Sequence, residues 1–267
     1  SEVLDPQKYP FMFIAGATYE QQMLIGLRAA KAAGAKRVVL MHGDNEYGRG
    51  PVTVVRKSGE IEKMGLELAD TIEFRYDAQD LTAQLVRVKS KSPDVVYIQS
   101  STPQTLVILR DAAKVGLSPK LFIGNMYNIS PTIPEQLGPA AEGFRAIQIY
   151  ANFGDPVPAM KEIEAFKAKN EVAKQDVYYM KGWLCGKAIA AAIEAAIKEA
   201  GGALPSREAV SKAVRRVQHS GLTGNVAFDE KGDPKKATYL IYQVGKEWKD
   251  NRLVKRLEIA APPAKKA

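Results

Sequence analysis

Residues 37–52, RVVLMHGDNEYGRGPV, pass from an apolar run through a polar loop to a proline. The run RVVLM has no polar alternation, which is typical of a strand covered on both faces of a sheet. Pro51 suits the first turn of a helix, because its missing N–H would have no helical partner there. The order strand, loop, helix therefore predicts one unit of an α/β fold, and ligands bind such sheets at the strand ends from which these loops leave.

The same alternation continues on both sides of this stretch. Apolar residues at helical spacing, such as Met23 and Leu27, separate the β-type runs, and Gly34, Gly65 and Gly116 stand where left-handed helix ends are expected. Strands that alternate with crossover helices form parallel sheets. We therefore predict an α/β fold whose parallel sheet contains strands over 37–41, 66–72, 95–99, 121–123 and 144–149.

The pattern changes after residue 149, where FGDPVP at 153–158 interrupts the alternation. The helices that follow have large apolar faces that need a sheet to cover, and the strands that follow are too few to build one. We therefore predict that the sheet of this second region is incomplete in this chain and that its exposed apolar surface favours association. The predicted elements are helices over 159–169, 178–200 and 207–217 and strands over 225–228 and 238–244.

Composition excludes several classes of protein. The chain has 267 residues, of which 46% are hydrophobic, so it can bury a core of ordinary size. No segment approaches the about 20 apolar residues that a membrane span needs. One cysteine, Cys185, and two histidines cannot form an internal disulfide or a Cys/His zinc module. The basic region 246–267 contains a single aromatic residue, Trp248, so we expect no nucleic-acid partner, and we expect no cofactor.

Hydrogen-bonding and aromatic side chains follow three predicted strands in succession. Tyr47 lies in the loop after the first strand, Ser100 and Ser101 follow the second, and Asn125, Met126 and Tyr127 follow the third. Because the carboxyl ends of parallel strands meet at one edge of a sheet, we expect these residues to share a rim that holds a small ligand. For the two serines, capping of the following helix is an equally open alternative.

Catalytic motifs are missing around this rim. The loop after residue 41 matches neither GxxxxGK[ST] nor GxGxxG, and the chain has no GxSxG turn. Asp44 and Glu46 fit exposed loop carboxylates better than an acid–base pair. We therefore expect a binding protein and not an enzyme. The alternative from another class, a flavodoxin-like nucleotide-binding enzyme, lacks its phosphate loop.

Segments along nearly the whole chain resemble the Leu/Ile/Val-binding family of periplasmic solute receptors, which serve branched-chain amino acid ABC transporters. The resemblance implies a type I periplasmic binding fold, in which two Rossmann-like lobes with parallel sheets are joined by crossing strands and hold the ligand between them. The matching segments are FMFIAG (11–16, a crossover strand in the family), YEQQ (19–22), KRVVLMHGDNEYGRG (36–50), SPDVVYIQSSTPQ (92–104), LRDAAKVGL (109–117), AAEG (140–143) and FDEKGD (228–233).

The resemblance also implies a division of the chain and a missing part. The chain would begin near the first crossover, so the N-terminal half of lobe 1 is expected to be absent from it. Whether that half was cleaved, is encoded separately or was left out stays open. The implied parts are 1–16 as crossover strand and lead-in, 17–150 as the second lobe, 151–223 as the returning part of the first lobe, and 224–267 as hinge-crossing strands and basic tail.

Family positions carry over to four residues of the expected site. Tyr47 matches a tyrosine that faces the ligand, and Ser101 stands where amino-acid receptors often have an aromatic residue. Tyr178 falls near an aromatic that closes over the ligand, although it is equally a core residue of its helix. Met126 stands where amino-acid receptors have the glutamate that pairs with the ligand ammonium. Since a buried ammonium needs a counter-charge, Met126 predicts a carboxylate ligand without an amine, aromatic or branched aliphatic.

The implied function is that of the extracytoplasmic solute-binding component of an ABC importer. Its two lobes would close around a small molecule and then dock onto membrane permease subunits. The implied location is the periplasm, reached with a signal peptide that this chain does not contain. Binding of a branched-chain amino acid or an amide by the same fold is the alternative. We also expect the chain to associate either with a missing N-terminal segment or with a second copy of itself.

Overall fold

The computed structural model describes residues 7–14, 16–130, 132–151, 153–157, 159–170, 177–216, 218–221, 224–228, 234–245 and 252–260. These residues form two compact units. Unit 1 takes its described residues from 1–18, 149–240 and 256–267, and unit 2 takes them from 19–148 and 241–255.

Unit 2 alternates strands and helices along the chain. Its elements are α1 (Tyr19–Ala32), β1 (Arg37–Gly43), α2 (Glu46–Ser58), α3 (Glu60–Lys63), β2 (Glu67–Phe74), α4 (Thr82–Ser90), β3 (Val95–Gln99), α5 (Thr102–Lys114), β4 (Leu121–Gly124), α6 (Thr132–Leu137) and β5 (Arg145–Gln148). The strands pair in parallel in the order β2-β1-β3-β4-β5. The predicted α/β class and parallel sheet are therefore confirmed.

The central strands of this sheet are covered on both faces. Every residue of β3 is buried, and every residue of β1 after Arg37 is buried. Helix α1 packs on β3, β4 and β5, while α2 packs on β1 and β3. The predicted left-handed glycines end their helices as expected, with φ of 85° at Gly34, 68° at Gly65 and 63° at Gly116.

Helix α2 begins earlier than the proline predicts. Its first residue is Glu46, and Asn45 is the N-cap, whose side chain accepts a hydrogen bond from the Gly48 N–H at 2.9 Å. Pro51 therefore lies inside the helix and not in its first turn. The reason is that asparagine satisfies the free N–H groups of a helix start, whereas proline only tolerates that position.

The sheet of unit 2 has a further neighbour from the end of the chain. The Val244 N–H donates to the Phe144 carbonyl at 2.9 Å, and the Gly143 N–H donates to the Val244 carbonyl at 3.0 Å. The described residues of 241–255, which the resemblance assigned to hinge-crossing strands and tail, belong to unit 2. The predicted second lobe, 17–150, corresponds in chain span to residues 19–148 of the same unit.

Unit 1 consists mainly of helices and antiparallel strands. Strands β6 and β7 pair antiparallel, as do β7 and β8, and β9 pairs with β8. Strands β6 and β9 were not predicted. Residues 229–233, between β7 and β8, and the terminal residues 261–267 lie outside the described residues. The elements are α7 (Met160–Lys169), α8 (Val177–Glu199), α9 (Arg207–Arg216), β6 (Gln218–Gly221), β7 (Gly224–Phe228), β8 (Pro234–Gln243, of which 241–243 lie in unit 2) and β9 (Arg252–Ala260, of which 252–255 lie in unit 2).

The expected crossover strand over 11–16 is not a strand in the residues that the structure describes. The segment packs on helix α9 instead. The Ser211 hydroxyl donates to the Pro10 carbonyl at 2.5 Å, and the Arg207 guanidinium lies 4.5 Å from the centre of the Phe11 ring. A strand needs a neighbouring backbone, and these contacts come from side chains of a helix.

Helix α8 is apolar on two opposite faces. One face is buried in unit 1 and includes Leu184 and Ala188. The other face is exposed, with Ile189 at 42% and Ile193 at 38% exposure, beside exposed Gly182 and other small residues. A helix that is apolar all round is normally buried on all sides.

No helix of the described segments is both long and apolar enough to cross a membrane.

Candidate functional site

The structure brings Tyr47, Ser100 and Asn125 together at the carboxyl edge of the unit 2 sheet. The Tyr47 hydroxyl lies 2.8 Å from the Ser100 carbonyl oxygen and 3.0 Å from Oδ1 of Asn125. Both atoms are acceptors, so the single hydroxyl hydrogen of Tyr47 is used inside the unit. What the hydroxyl can offer a ligand is therefore an acceptor oxygen.

The Asn125 side chain is fully used in holding this arrangement. Its Nδ2 donates to the Ser100 carbonyl at 3.1 Å and to Oε1 of Gln99 at 3.2 Å, and its Oδ1 also accepts from the Tyr127 N–H at 2.8 Å. The residue is completely buried. Asn125 consequently positions Tyr47 and the loop after β4.

Pro51 explains how the backbone of Tyr47 is held. In a regular helix the N–H of residue 51 would donate to the carbonyl of residue 47, and proline has no N–H. The Tyr47 carbonyl instead accepts a hydrogen bond of 3.1 Å from Nε2 of Gln99, at the end of β3. The hydroxyl and the carbonyl of Tyr47 are thus both bonded to residues outside α2.

Two further tyrosines, Tyr127 and Tyr19, join Tyr47; the sequence placed Tyr127 at the rim but did not indicate Tyr19. The Tyr19 ring stands edge-on to the Tyr47 ring, with centroids 4.9 Å apart and an interplanar angle of 83°. The Tyr127 ring lies 6.2 Å from Tyr47 and 6.3 Å from Tyr19. These are favourable edge-to-face distances for aromatic pairs. Tyr127 lies in the loop after β4, whereas Tyr19 is the first residue of α1.

The tyrosine cluster is uncharged. Burial, followed by the neighbouring Tyr19, raises the pKa of Tyr47 far above its usual range. Burial and the adjacent Tyr127 hydroxyl likewise raise the pKa of Tyr19. All three rings are half-buried. The rim therefore presents aromatic edges and neutral oxygens to a ligand.

Ser101 lies in a second hydrogen-bonded group beside this cluster. Its Oγ is 2.8 Å from the Tyr76 hydroxyl and donates to Oε1 of Gln104 at 2.7 Å, while Nε2 of Gln104 donates to the Tyr76 carbonyl at 2.8 Å. Ser101 is the N-cap residue of α5, but its hydroxyl accepts no hydrogen bond from a backbone N–H of that helix. The Tyr76 ring packs beside Gly43, where an added Cβ would come within 2.6 Å of it.

The polar atoms of Met126 are bonded inside unit 2. Its N–H donates to Oε1 of Gln22 at 3.1 Å, and its sulfur accepts a contact of 3.6 Å from Nε2 of the same glutamine. Its carbonyl accepts from Nε2 of Gln148 at 3.2 Å. The residue is 3% exposed. Met126 thus packs between α1 and the end of β5, next to the rim in sequence but with its polar atoms already bonded.

The sequence also raised two loop carboxylates, Asp44 and Glu46, and one further candidate site residue, Tyr178. Asp44 Oδ1 accepts from the Tyr76 N–H at 3.0 Å, and Glu46 is exposed on the first turn of α2. Tyr178 follows the first residue of α8, and its side chain lies outside the described residues. Within the described part of the chain, no group of three or more His, Cys, Asp or Glu residues is placed to hold a metal ion.

Comparison with known proteins identifies relatives over most of the chain. The sequence matches the family described as Periplasmic binding protein over residues 1–249. It is 30% identical over 212 residues to the Leucine-, isoleucine-, valine-, threonine-, and alanine-binding protein of Pseudomonas aeruginosa, which covers 79% of this chain and 54% of that protein. The chain therefore spans about half the length of the curated relatives it matches.

Solved structures show the same fold. The leucine binding protein LivK of Thermotoga maritima is 26% identical, with a TM-score of 0.68, covering 84% of this chain and 62% of that one. A solute binding protein of an ABC transporter from R. palustris, in complex with benzoate, is 18% identical, with a TM-score of 0.72 over 97% of this chain and 67% of that one. The type I periplasmic binding fold implied by the sequence is confirmed, and the chain belongs to the periplasmic binding protein family.

Proposed function

We propose that this protein is the non-catalytic solute-binding component of an ABC importer, with a small amine-free carboxylate as its ligand. The body of the ligand would be aromatic or branched aliphatic. The observation that supports this most is the rim of unit 2, where the rings of three uncharged tyrosines lie 4.9–6.3 Å from one another. Such a rim suits an apolar body and offers no charge to an ammonium.

The positions of the carboxylates closest to Tyr47 in sequence support an amine-free ligand. Asp44 is bonded to the Tyr76 backbone, and Glu46 is exposed. Met126 occupies the family position for a glutamate, and its sulfur contacts Gln22. An ammonium buried without a partner charge costs several kcal/mol, so an α-amino acid would bind poorly against this surface.

The second candidate ligand is an aliphatic amino acid. The Pseudomonas aeruginosa relative, which is 30% identical, is named for binding leucine, isoleucine, valine, threonine and alanine, and this favours the amino-acid class. In that case another group must supply the counter-charge.

Membership of the family also supports an extracytoplasmic location and permease subunits as partners, both of which we propose for this protein.

A thermal-shift screen of the full-length receptor separates the two ligand classes. Leucine, isoleucine and valine are compared with their keto acids and with substituted benzoates and cinnamates. We expect the amine-free acids to raise the melting temperature more than the amino acids do. A larger shift with leucine than with every amine-free acid would show that the amine-free assignment is wrong.

We also propose that the exposed apolar face of α8 is covered in solution. For the 267-residue chain purified alone, a second copy is the available partner, so we expect self-association, seen by light scattering as a mass above 29.2 kDa. The double variant Ile189→Lys/Ile193→Glu should shift the chain toward the monomer mass.

The control for this experiment is Val86→Lys, which replaces an exposed apolar residue of α4 that is 53% exposed in unit 2. This variant should leave the association unchanged. A wild-type chain that stays monomeric at every concentration tested would refute the prediction. In a longer form that contains the expected missing segment of lobe 1, that segment would cover the same face.

A further inference from the structure

Tyr76 turns from an exposed loop toward the rim of unit 2. Its neighbours Arg75 and Asp77 pair with each other, and their side chains are 78% and 73% exposed. Tyr76 is instead half-buried, and its ring packs beside Gly43, the last residue of β1. Part of Tyr76 thus stays accessible at the carboxyl end of a central strand, where parallel sheets bind their ligands.

Tyr76 is held at three points by residues that follow β1 and β3. Its N–H donates to Oδ1 of Asp44 at 3.0 Å, and its carbonyl accepts from Nε2 of Gln104 at 2.8 Å. Its hydroxyl lies 2.8 Å from Oγ of Ser101. Bonds at both backbone groups and at the tip of the side chain fix the position of the ring, as a wall of a binding site requires.

The bonds around Gln104 decide which way the hydrogens of this group point. The Gln104 nitrogen must face the Tyr76 carbonyl, because the reverse amide orientation would oppose two acceptor oxygens. Its oxygen therefore faces Ser101, whose hydroxyl donates to it at 2.7 Å. The Ser101 hydrogen is then used, so the Tyr76 hydroxyl donates to Ser101. Tyr76 can consequently offer a ligand its ring and an acceptor oxygen, but no donor for a carboxylate.

Tyr76 and Tyr47 are bonded to consecutive residues of the rim. The Tyr47 hydroxyl bonds to the Ser100 carbonyl, and the Tyr76 hydroxyl bonds to the Ser101 side chain. The two tyrosines also interact electrostatically, because burial, then Tyr19 and to a smaller extent Tyr76, raise the pKa of Tyr47. A ligand that packs on Tyr47 and extends toward Ser101 would therefore meet Tyr76.

We propose that the Tyr76 ring is a further wall of the ligand site and limits the size of the ligand toward Ser101. This inference rests on the proposed function and adds a size limit to the class of carboxylates proposed there. The contact is one of packing, since the hydroxyl hydrogen of Tyr76 is used by Ser101. A ring that is fixed at three points cannot turn aside at low cost, so extra bulk against it is penalised.

The test measures size selectivity by calorimetry on the full-length receptor. The probes are benzoate, 3-isopropylbenzoate and 4-isopropylbenzoate, which place the same bulk at two positions of the ring. We expect the wild type to bind at least one isopropyl acid about ten- to a hundredfold more weakly than benzoate, the range for forcing extra bulk into a packed site.

Tyr76→Ala should change the two affinities in opposite directions. Benzoate should bind about two- to tenfold more weakly, because an aromatic contact is lost, while the disfavoured isopropyl acid should bind more tightly. Tyr76→Leu, a less drastic change, should shift the ratio of the two affinities in the same direction. Tyr76→Phe keeps the ring without its hydroxyl, so it should retain the wild-type ratio. Thermal unfolding without ligand verifies that each variant is folded.

Arg75→Ala is the matched control, since it changes an exposed side chain of the same loop and should leave all three affinities unchanged. A common loss for the three acids in both Tyr76→Ala and Tyr76→Leu would show that Tyr76 only anchors its loop, and the inference would be wrong. It would also be wrong if Tyr76→Phe changed the ratio as much as Tyr76→Ala does.

Failure of the proposed function gives a different result. If leucine binds and the acids do not, the amine-free assignment fails, and the same variants are compared on valine and phenylalanine. A preference for valine that Tyr76→Ala does not reduce would then refute the size limit by itself. If the wild type binds none of these ligands, the proposed function fails and this inference fails with it.

Discussion

Replacement of Asp111 by alanine is expected to lower the free energy of unfolding by about 2–4 kcal/mol. The carboxylate is completely buried, and its Oδ2 accepts from the Leu81 N–H at 2.9 Å. Its Oδ1 lies 2.8 Å from Arg110 and 2.9 Å from Lys114. Alanine would leave the Leu81 N–H without an acceptor just before α4, while the two cations, which are partly exposed, could turn to water. Chemical denaturation measures the loss.

Asp77→Ala is the matched control for Asp111. Asp77 pairs with Arg75 at 2.8 Å, but both side chains are more than two-thirds exposed. We expect its removal to change the unfolding free energy by less than about 0.5 kcal/mol. Equal losses from the two variants would show that burial of Asp111 has no particular importance.

The dependence of stability on pH tests the same carboxylate. Burial alone would raise the pKa of Asp111, but hydrogen bonds from Arg110, the Leu81 backbone and Lys114 outweigh it and lower the pKa far below its usual range. Its contribution is thus complete above the unfolded pKa of about 4 and is lost as the pH falls through the folded value. Below about pH 4, Asp111→Asn should therefore lose stability less steeply than the wild type.

Tyr47→Ala in the full-length receptor should weaken ligand binding by about 1–3 kcal/mol, measured by calorimetry. The variant removes an aromatic ring from the tyrosine cluster and the hydroxyl that contacts Ser100 and Asn125. Tyr47→Phe keeps the ring, so its loss should be smaller. Tyr9→Ala, at a tyrosine that is 44% exposed in unit 1, is the control and should not change the affinity. Unchanged affinity in a folded Tyr47→Ala variant would remove Tyr47 from the site.

The parallel sheet could be predicted because its signals are local. The apolar runs of β1 and β3 and the glycines at helix ends depend on a few neighbouring residues each. The start of α2 was misplaced because the cap at Asn45 competes with Pro51, and the cap geometry appears only in three dimensions. Strand β6, QHSG, has no apolar alternation, so its pairing with β7 decides its conformation.

The site was predictable only where residues follow strands. Tyr47, Ser100 and Asn125 each come after a strand, and parallel strands bring those ends together. Tyr76 also follows a strand, β2, so the same rule covers it, and it was missed. Tyr19 meets the rim from the start of α1, where no strand-end rule applies. Its contact with Tyr47 depends on packing between distant segments, which a single sequence does not encode in any short pattern.

The bond between Gln99 and the Tyr47 carbonyl makes this tyrosine independent of the helix that contains it. Helix ends open and close readily in solution, and Tyr47 lies in the first turn of α2. Its carbonyl is held by Gln99, 52 residues away in sequence, and its hydroxyl is held at the ends of β3 and β4. Opening of that turn would therefore leave the ring in place, so transient fraying of α2 need not release a bound molecule.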